Sequence, residues 1–400
     1  MIASDIVLKE NVKYRVLTTI RYLGDGFFYP FFALFLVSRG LTESRIGFIL
    51  SISPLLAIIM NPIYSKICNN VNKLKITLGI ISILEGIMIL LIGLSSNFYL
   101  ITVLTLLMAI FGSCHYGLMD SLVALYSDST AQNYSSFRLY GSVAYIIATS
   151  TGGYICKLVS YEFAFGVSCA LFIISGIFYI FLKNIKIEKE EVKEKSDFKD
   201  YKLILKNKRF IAFMIFYGLS MALIFTNNNF FPTYLETRGI GSDGYGLVYA
   251  YFVVVEVVVL LILTKVKIKA SPYLLLLIAS LSLVLRIIPC YFEWPVWSII
   301  AISGLRGVGY AIMLHVSFKY VISLLGADKA TKGIMLATLL YSILLFLFNN
   351  GNGFIIEKFS YNTFFLVNLI ASIFLVIYIG IIIILDRHKA NLNKNKEIEE

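Results

Sequence analysis

The side chains able to do chemistry here are ionisable groups set inside long apolar runs. Arg21 and Asp25 stand in IRYLGDGFF, Glu85 in SILEGIMIL, Asp120 in YGLMDSLVAL, and Arg138 heads FRLYGSVAYIIAT. Glu256 follows in AYFVVVEVVVLL, Arg286 in LVLRIIPCYF, Arg306 in ISGLRGVGYAIML and Lys319 in SFKYV, with His115 a weaker member. A charge at the centre of a bilayer costs about 2.5–3.5 kcal/mol on insertion scales, so such groups pair with one another or mark a path for solute or proton. Arg21 and Asp25 are four residues apart on one helix face and can pair directly. Asp120 has no cation close in sequence. Arg138, across one short loop, is its expected counter-ion, or shares a polar ligand with it. Tyr145 lies two helical turns beyond Arg138 on the same face and offers a stacking surface. Gly141 and Ser142 let the two helices that carry Asp120 and Arg138 come close. Glu256 has Arg286 and Arg306 as candidate partners. A carboxylate that exchanges a proton for a partner or a substrate is what proton coupling requires. Asn227, Asn228 and Asn349 are candidate cavity lining, together with Arg21 and His115. For any single residue the plain alternative is an ion pair that staples two helices. For the whole set, a transport pathway is the stronger reading.

These groups need elements that hold them in a membrane. Of 400 residues, 58% are hydrophobic and 15% charged, with a mean hydropathy of +0.82, whereas soluble domains are about 25% charged. Apolar stretches of about 20 residues, enough to cross ~30 Å of hydrocarbon, recur throughout. The chain therefore reads as a polytopic helical membrane protein, because the bilayer core offers backbone groups no water to bond. The net charge of +11 fits short loops obeying the positive-inside rule better than it fits a nucleic-acid partner. Cys68, Cys114, Cys156, Cys169 and Cys290 lack paired spacing and read as small buried hydrophobes, not as disulfides or metal ligands. No cofactor and no metal are expected. The opening MIASDIVLKENVKYR has no signal-peptide pattern, so the first span is its own insertion signal.

Twelve spans are expected, at 14–38, 45–67, 74–95, 98–125, 137–158, 161–182, 210–235, 244–264, 272–292, 295–324, 332–356 and 361–385. Basic residues such as Lys9, Lys13, Arg15, Lys66, Lys73, Lys75, Lys265, Lys267, Lys269 and Lys389 collect on one side. That places both termini in the cytoplasm of a cell whose plasma membrane the chain spans. Segment 183–209 mixes both signs at helical spacing and reads as a surface-lying connector, partly helical. The halves echo each other. With an offset of 199, Phe31/Phe230, Phe32/Phe231, Leu36/Leu235, Arg39/Arg238, Gly40/Gly239 and Gly47/Gly246 coincide. The expected organisation is a six-helix bundle at 1–182, a connecting loop at 183–209 and a second six-helix bundle at 210–400 with a short tail. The fold class is all-α, twelve transmembrane helices in two pseudo-symmetric bundles, the pattern of parallel six-span repeats.

On these residues the chain resembles the lactose permease group of the major facilitator superfamily and its relatives that carry nucleosides or aromatic acids. FRLYGSVAY is similar to the family's arginine–aromatic–glycine segment at the start of span 5, and Asp120 lies where its span-4 carboxylate does. The resemblance implies that Asp120 and Arg138 bind substrate, that Tyr145 replaces the aromatic that stacks on a sugar, and that Glu256 and Arg286 match the family's span-8 carboxylate and span-9 arginine. The chain also departs from the family. The span-10 histidine and glutamate positions are Arg306 and Gly309, the span-11 lysine is absent, and TNNN replaces the acidic pair of span 7. Asp25, Glu85 and Glu256 are then the proton-coupling candidates, and Asp120, Arg138, Tyr145, Glu256, Arg286 and Arg306 the substrate-binding ones.

The function expected is secondary active transport of a small polar organic solute, such as a sugar, nucleoside or organic acid, by proton-coupled uptake with alternating access. A proton, or another cation, and the lipid bilayer are its partners, and the chain is expected to be a monomer. The alternative is a proton-driven multidrug or metabolite exporter of the same fold. The absence of a glycine–proline motif in span 5 argues against it. A sensor would need an output domain, and no phosphate loop or nucleophile–base pair suggests an enzyme.

Overall fold

The computed structural model describes residues 2–183, 198–266 and 271–399. Lys267 and Lys269, and residues 184–197 of the connector, lie outside them. The described chain is helical: α1 (Ile2–Phe28), a 3₁₀ turn (Tyr29–Phe31), α2 (Phe32–Ser38), α3 (Glu43–Ile67), α4 (Val71–Gly93), α5 (Phe98–Gly112), α6 (His115–Thr130), α7 (Tyr134–Leu158), α8 (Tyr161–Phe181), α9 (Phe198–Ile204), α10 (Lys208–Thr237), α11 (Ser242–Lys265), α12 (Pro272–Tyr291), α13 (Val296–Ser303), α14 (Leu305–Leu325), α15 (Ala327–Lys358) and α16 (Tyr361–Glu399). Eleven spans among the described residues are long and apolar enough to cross a bilayer. The remaining expected span is α7, a helix of 25 residues. Its Ser, Thr and Gly residues and Arg138 dilute its hydropathy.

Local sequence explains where helices start and stop. Asn133 caps α7 by accepting from the Ser135 amide at 2.9 Å, and Ser160 caps α8 through the Phe163 amide at 3.2 Å, satisfying donors that an N-terminus otherwise leaves orphaned. The internal repeat is visible as one turn made twice. Gly40 and Gly239 have φ of +72° and +82°, a conformation glycine adopts without a Cβ clash. Leu41 N–H bonds the Leu36 carbonyl, and Ile240 N–H bonds the Leu235 carbonyl, at 3.2 and 2.9 Å, the closing bond of a Schellman motif.

Three expected spans are broken, and the breaks sit beside polar residues. Span 1 bends at the 3₁₀ turn, which brings the Tyr29 hydroxyl inward. Span 4 breaks at Ser113–Cys114, just before His115. Span 10 breaks at Gly304, two residues before Arg306. Irregular backbone at membrane depth persists only where protein or a polar cavity receives the freed groups.

The chain gathers into two compact units. The first comprises Met1–Glu194, Asn228–Val253 and Asn349–Glu357; the second comprises Lys195–Asn227, Val254–Phe348 and Lys358–Glu400. In the first, α1 runs along α7 and α8, and α4 along α8. Small residues permit this. A Cβ on Gly26 would strike Ala148, and Ser168 Oγ donates to the Gly24 carbonyl at 2.8 Å. Without a hydrophobic drive between helices in lipid, such close packing and interhelical hydrogen bonds carry the association. Segments from later in the chain join the same unit: Ser242 Oγ donates to the Gly153 carbonyl, and Asn350 Nδ2 to Ser51 Oγ at 2.9 Å. In the second unit α12 packs on α14 and α16, around Phe213, Phe216, Leu276, Met313 and Leu375. Helix α9 is tied on by an ion pair between Lys332 Nζ and Asp200 Oδ2 at 2.7 Å. That hydrogen bond holds the Asp200 carboxyl below its ordinary range. Ile59, Val103, Ile147, Leu347 and Phe374 remain exposed, as a lipid-facing surface requires.

Candidate functional site

Two polar centres lie side by side in the first unit, and successive residues of α1 serve them. The first is sealed. Arg21 Nη2 sits 3.1 Å from Asp25 Oδ1 and 3.1 Å from Glu85 Oε2, with all three side chains 0% exposed. The i,i+4 spacing on α1 makes the first contact; the second needs α8, which packs on both α1 and α4 and so brings Glu85 to Arg21. Tyr29 donates to Glu85 Oε1 at 2.8 Å, from the 3₁₀ turn. His115 Nδ1 lies 3.3 Å from Glu85 Oε2, and its Nε2 lies 3.3 Å from the Tyr179 hydroxyl. The Phe172 ring closes the far side, its centroid 3.7 Å from the guanidinium carbon of Arg21, a cation–π contact. Gly112 is where α5 must be bare, because a methyl there would collide with the Glu85 carboxylate. Charges removed from water survive only when paired and hydrogen-bonded. Here two carboxylates share one fixed cation. With His115 neutral the cluster carries one excess negative charge, and one proton neutralises it.

The second centre is open. Arg138 Nη1 lies 3.2 Å from Asp120 Oδ2, and both side chains are 41% exposed. Tyr134 bridges them, donating to Asp120 Oδ1 at 2.7 Å and accepting from Arg138 at 3.2 Å. Tyr134 and Arg138 are one turn apart on α7, and Asp120 comes from α6. A void of about 10 Å³ beside the triad, lined also by Thr18, Tyr22 and Phe137, is about one water in size. These contacts use one nitrogen of Arg138, whose fork has five N–H donors. The rest of the fork can meet a carboxylate or paired hydroxyls. Tyr145, two turns on, packs at 6.4 Å from Tyr22 and 5.7 Å from Tyr249, so an aromatic wall adjoins the charge.

Aromatic rings join the two centres. Tyr22 follows Arg21 directly. It lines the void beside Asp120 and lies 5.9 Å from the Tyr116 ring. Tyr116 in turn lies 5.8 Å from the Arg21 guanidinium.

In the second unit Arg306 Nη1 lies 3.4 Å from Glu256 Oε2, with exposures of 6% and 17%. Arg306, one of the two arginines offered by the sequence, thus forms an ion pair with this carboxylate. Tyr310 stands 5.5 Å from the Arg306 guanidinium and 5.7 Å from Phe225, giving this pair an aromatic side as well. Arg286 is buried at 3% exposure on α12. Asn227 donates to the Leu223 carbonyl and to Asn368, and Asn349 to the Leu50 carbonyl, so both amides serve packing within their own units. Asn228 differs. Both polar atoms of its amide are buried with no hydrogen-bond partner among the described residues. A native chain rarely leaves such a group unsatisfied without a use for it.

Two expectations need correction. Lys319 is exposed and faces His315 Nε2 at 3.2 Å, so it joins no buried cluster; it lies near the end of α14, where a long side chain reaches water. Gly141 does not ease the meeting of α6 and α7. It packs under the Tyr22 ring and Thr18 of α1.

Residues 22–367 match the model of the MFS_1 like family. The chain belongs to that family. It is a multi-pass membrane transporter of the major facilitator type and not an enzyme. It is 24% identical to the uncharacterized transporter YwbF of Bacillus subtilis (strain 168) and 20% identical to the maltose permease of Geobacillus stearothermophilus, each over 303 residues, 75% of both chains. Its fold is similar to that of the nucleoside transporter NupG, with a TM-score of 0.78 at 14% identity, covering 93% of this chain and 98% of that one. It is also similar to a bacterial homolog of the human lysosomal transporter Spinster, with a TM-score of 0.66 at 12% identity over 94% and 95% of the chains. In this transporter four aromatic partners of the polar centres, Tyr22, Tyr116, Tyr134 and Tyr310, were not singled out by sequence. Tyr134, four residues before Arg138, and Tyr22, beside Arg21, carried a spacing signal that 26 tyrosines drown.

Proposed function

We propose that this transporter takes up a small polar organic solute, a sugar or nucleoside, in symport with a proton. The observation that carries the reading is the pairing of an open Asp120–Arg138–Tyr134 triad with a sealed Arg21–Asp25–Glu85–His115 cluster, both packed against the same helix. The triad presents a carboxylate, an unspent guanidinium fork and the neighbouring ring of Tyr145, the set that binds vicinal hydroxyls and a flat ring face. Asn228 adds an unspent amide. Glu256 and Arg306, with Tyr310, form the corresponding polar group of the second unit, and Arg286 completes the substrate-facing set. Among the proton candidates, Asp25 and Glu85 are favoured because two carboxylates on one guanidinium are one proton from neutrality. Glu256, with the Arg306 cation against it, is assigned to the solute instead. The nucleoside and maltose transport named for relatives agrees with a hydroxyl-rich solute. The reading includes two six-helix bundles at 1–182 and 210–400 joined by a 183–209 connector, cytoplasmic termini, a plasma-membrane location and a monomer.

The test is uptake into proteoliposomes with an imposed pH gradient, screened over sugars, nucleosides and organic acids. Accumulation of one class, driven by an acidic exterior and collapsed by a protonophore, is expected. Accumulation unaffected by the protonophore would remove the proton from the mechanism.

A further inference from the structure

The second unit contains a cleft that the transport reading does not use. Phe213 and Phe216 of α10, Leu276 of α12, and Ile379, Ile382 and Leu385 of α16 make its walls, with about 170 Å³ of open volume. Lys208 and Arg209, in the first turn of α10, stand at its edge and are exposed. Tyr320 donates to the Tyr273 hydroxyl at 2.8 Å on another wall. No acidic side chain among the described residues lines the cleft, so its polar edge is cationic.

Size and placement narrow the occupant. Cavities of roughly 150 Å³ hold a benzene-sized apolar group, whereas sites for whole drug-sized molecules run to about 300–1,000 Å³. The cleft therefore has room for a short hydrocarbon segment and not for a complete solute. Each helix meets it at the end of a membrane span. Lys208 begins its span, Tyr273 is the second residue of the span from Pro272, Tyr320 is near the end of the span closing at Leu325, and Leu385 ends the last. That level is where lipid headgroups lie. Lys202 and Lys206, both exposed, add to the basic stretch just before Lys208.

We propose that this cleft binds an anionic phospholipid, with one acyl segment against Phe213, Phe216 and Ile379 and the headgroup phosphate on Lys208 and Arg209. An apolar trough with a cationic rim matches an amphiphile with an anionic head. Basic pockets between transmembrane helices recognise such headgroups by the same chemistry.

The test uses the full chain, delipidated in detergent, with native mass spectrometry reading bound phosphatidylglycerol against phosphatidylcholine. Phosphatidylglycerol should bind roughly thirtyfold more tightly, the effect of two basic side chains near a phosphate. The double variant Lys208→Ala/Arg209→Ala, at exposed positions, should lose that preference and keep weak binding of both lipids. Ala212→Phe, which fills the trough, should lose both. Should Ala212→Phe fail to fold, the double variant still decides. Equal binding of the two lipids by the wild type, or an undiminished phosphatidylglycerol preference in the double variant, overturns the proposal. So does displacement of phosphatidylglycerol by inorganic phosphate at constant ionic strength, which would make the rim an anion site without lipid. Neither Lys208 nor Arg209 belongs to the proposed transport machinery, so the uptake assay and this one can fail separately.

Discussion

The sealed cluster around Glu85 and the open triad around Asp120 are built from the same residue types on neighbouring turns of packed helices. Their environments differ completely. Arg21, Asp25 and Glu85 have no exposure, while Asp120 and Arg138 keep 41% each. One guanidinium answers two carboxylates in the first centre and one carboxylate in the second. The contrast teaches that an ion pair's role follows from what else can reach it. A pair open to water can trade its partner for a ligand. A cluster closed by Phe172, Tyr179 and Tyr29 can trade only something as small as a proton.

The largest effect should come from removing the shared cation. Arg21→Met strands two carboxylates out of water, and should cost about 3–5 kcal/mol of stability, the usual result of breaking a buried pair. Arg138→Met should cost about 1 kcal/mol or less, as an exposed pair does. Thermal denaturation in one detergent compares them directly, and equal losses would erase the distinction between the centres. Next, Asp120→Asn and Arg138→Ala should each abolish specific solute binding while the melting temperature holds. Wild-type affinity in both would take the triad out of the binding site. A sharper division follows from Glu85→Gln. It should keep solute exchange between equal pools and lose pH-driven accumulation, whereas Glu256→Gln should weaken solute affinity and leave accumulation coupled. The opposite pattern would move the proton to the second unit. The smallest effect belongs to the ring between the centres. Tyr116→Phe keeps the ring and removes only its hydroxyl, and should slow coupled uptake about fivefold, as a loss of about 1 kcal/mol does. No change would make Tyr116 a packing residue.

Much of this is legible in the chain alone. Apolar runs of span length mark the helices, because in lipid a backbone can satisfy itself in few ways. The Arg39-Gly40 and Arg238-Gly239 pairs mark the repeat, and both end their helices in the same Schellman turn. Arg21 with Asp25 follows from a spacing of four, and Asp120 with Arg138 from a short loop and opposite sign. Other features stayed hidden for a physical reason. That Glu85 joins Arg21, 64 residues away, depends on α8 packing against both α1 and α4, and on Gly112 being bare. Neither is written in local periodicity. The interruptions at Tyr29–Phe31 and Ser113–Cys114 fall within runs that remain apolar, so hydropathy reads through them.

By itself the sequence determined a polytopic helical chain with a duplicated plan and a short set of costly charges, because composition, span length and ion placement obey the bilayer directly. Which charge meets which, and whether water reaches the pair, was decided only by tertiary packing. Solvent access is a property of surfaces brought together by several helices, and no single segment encodes it.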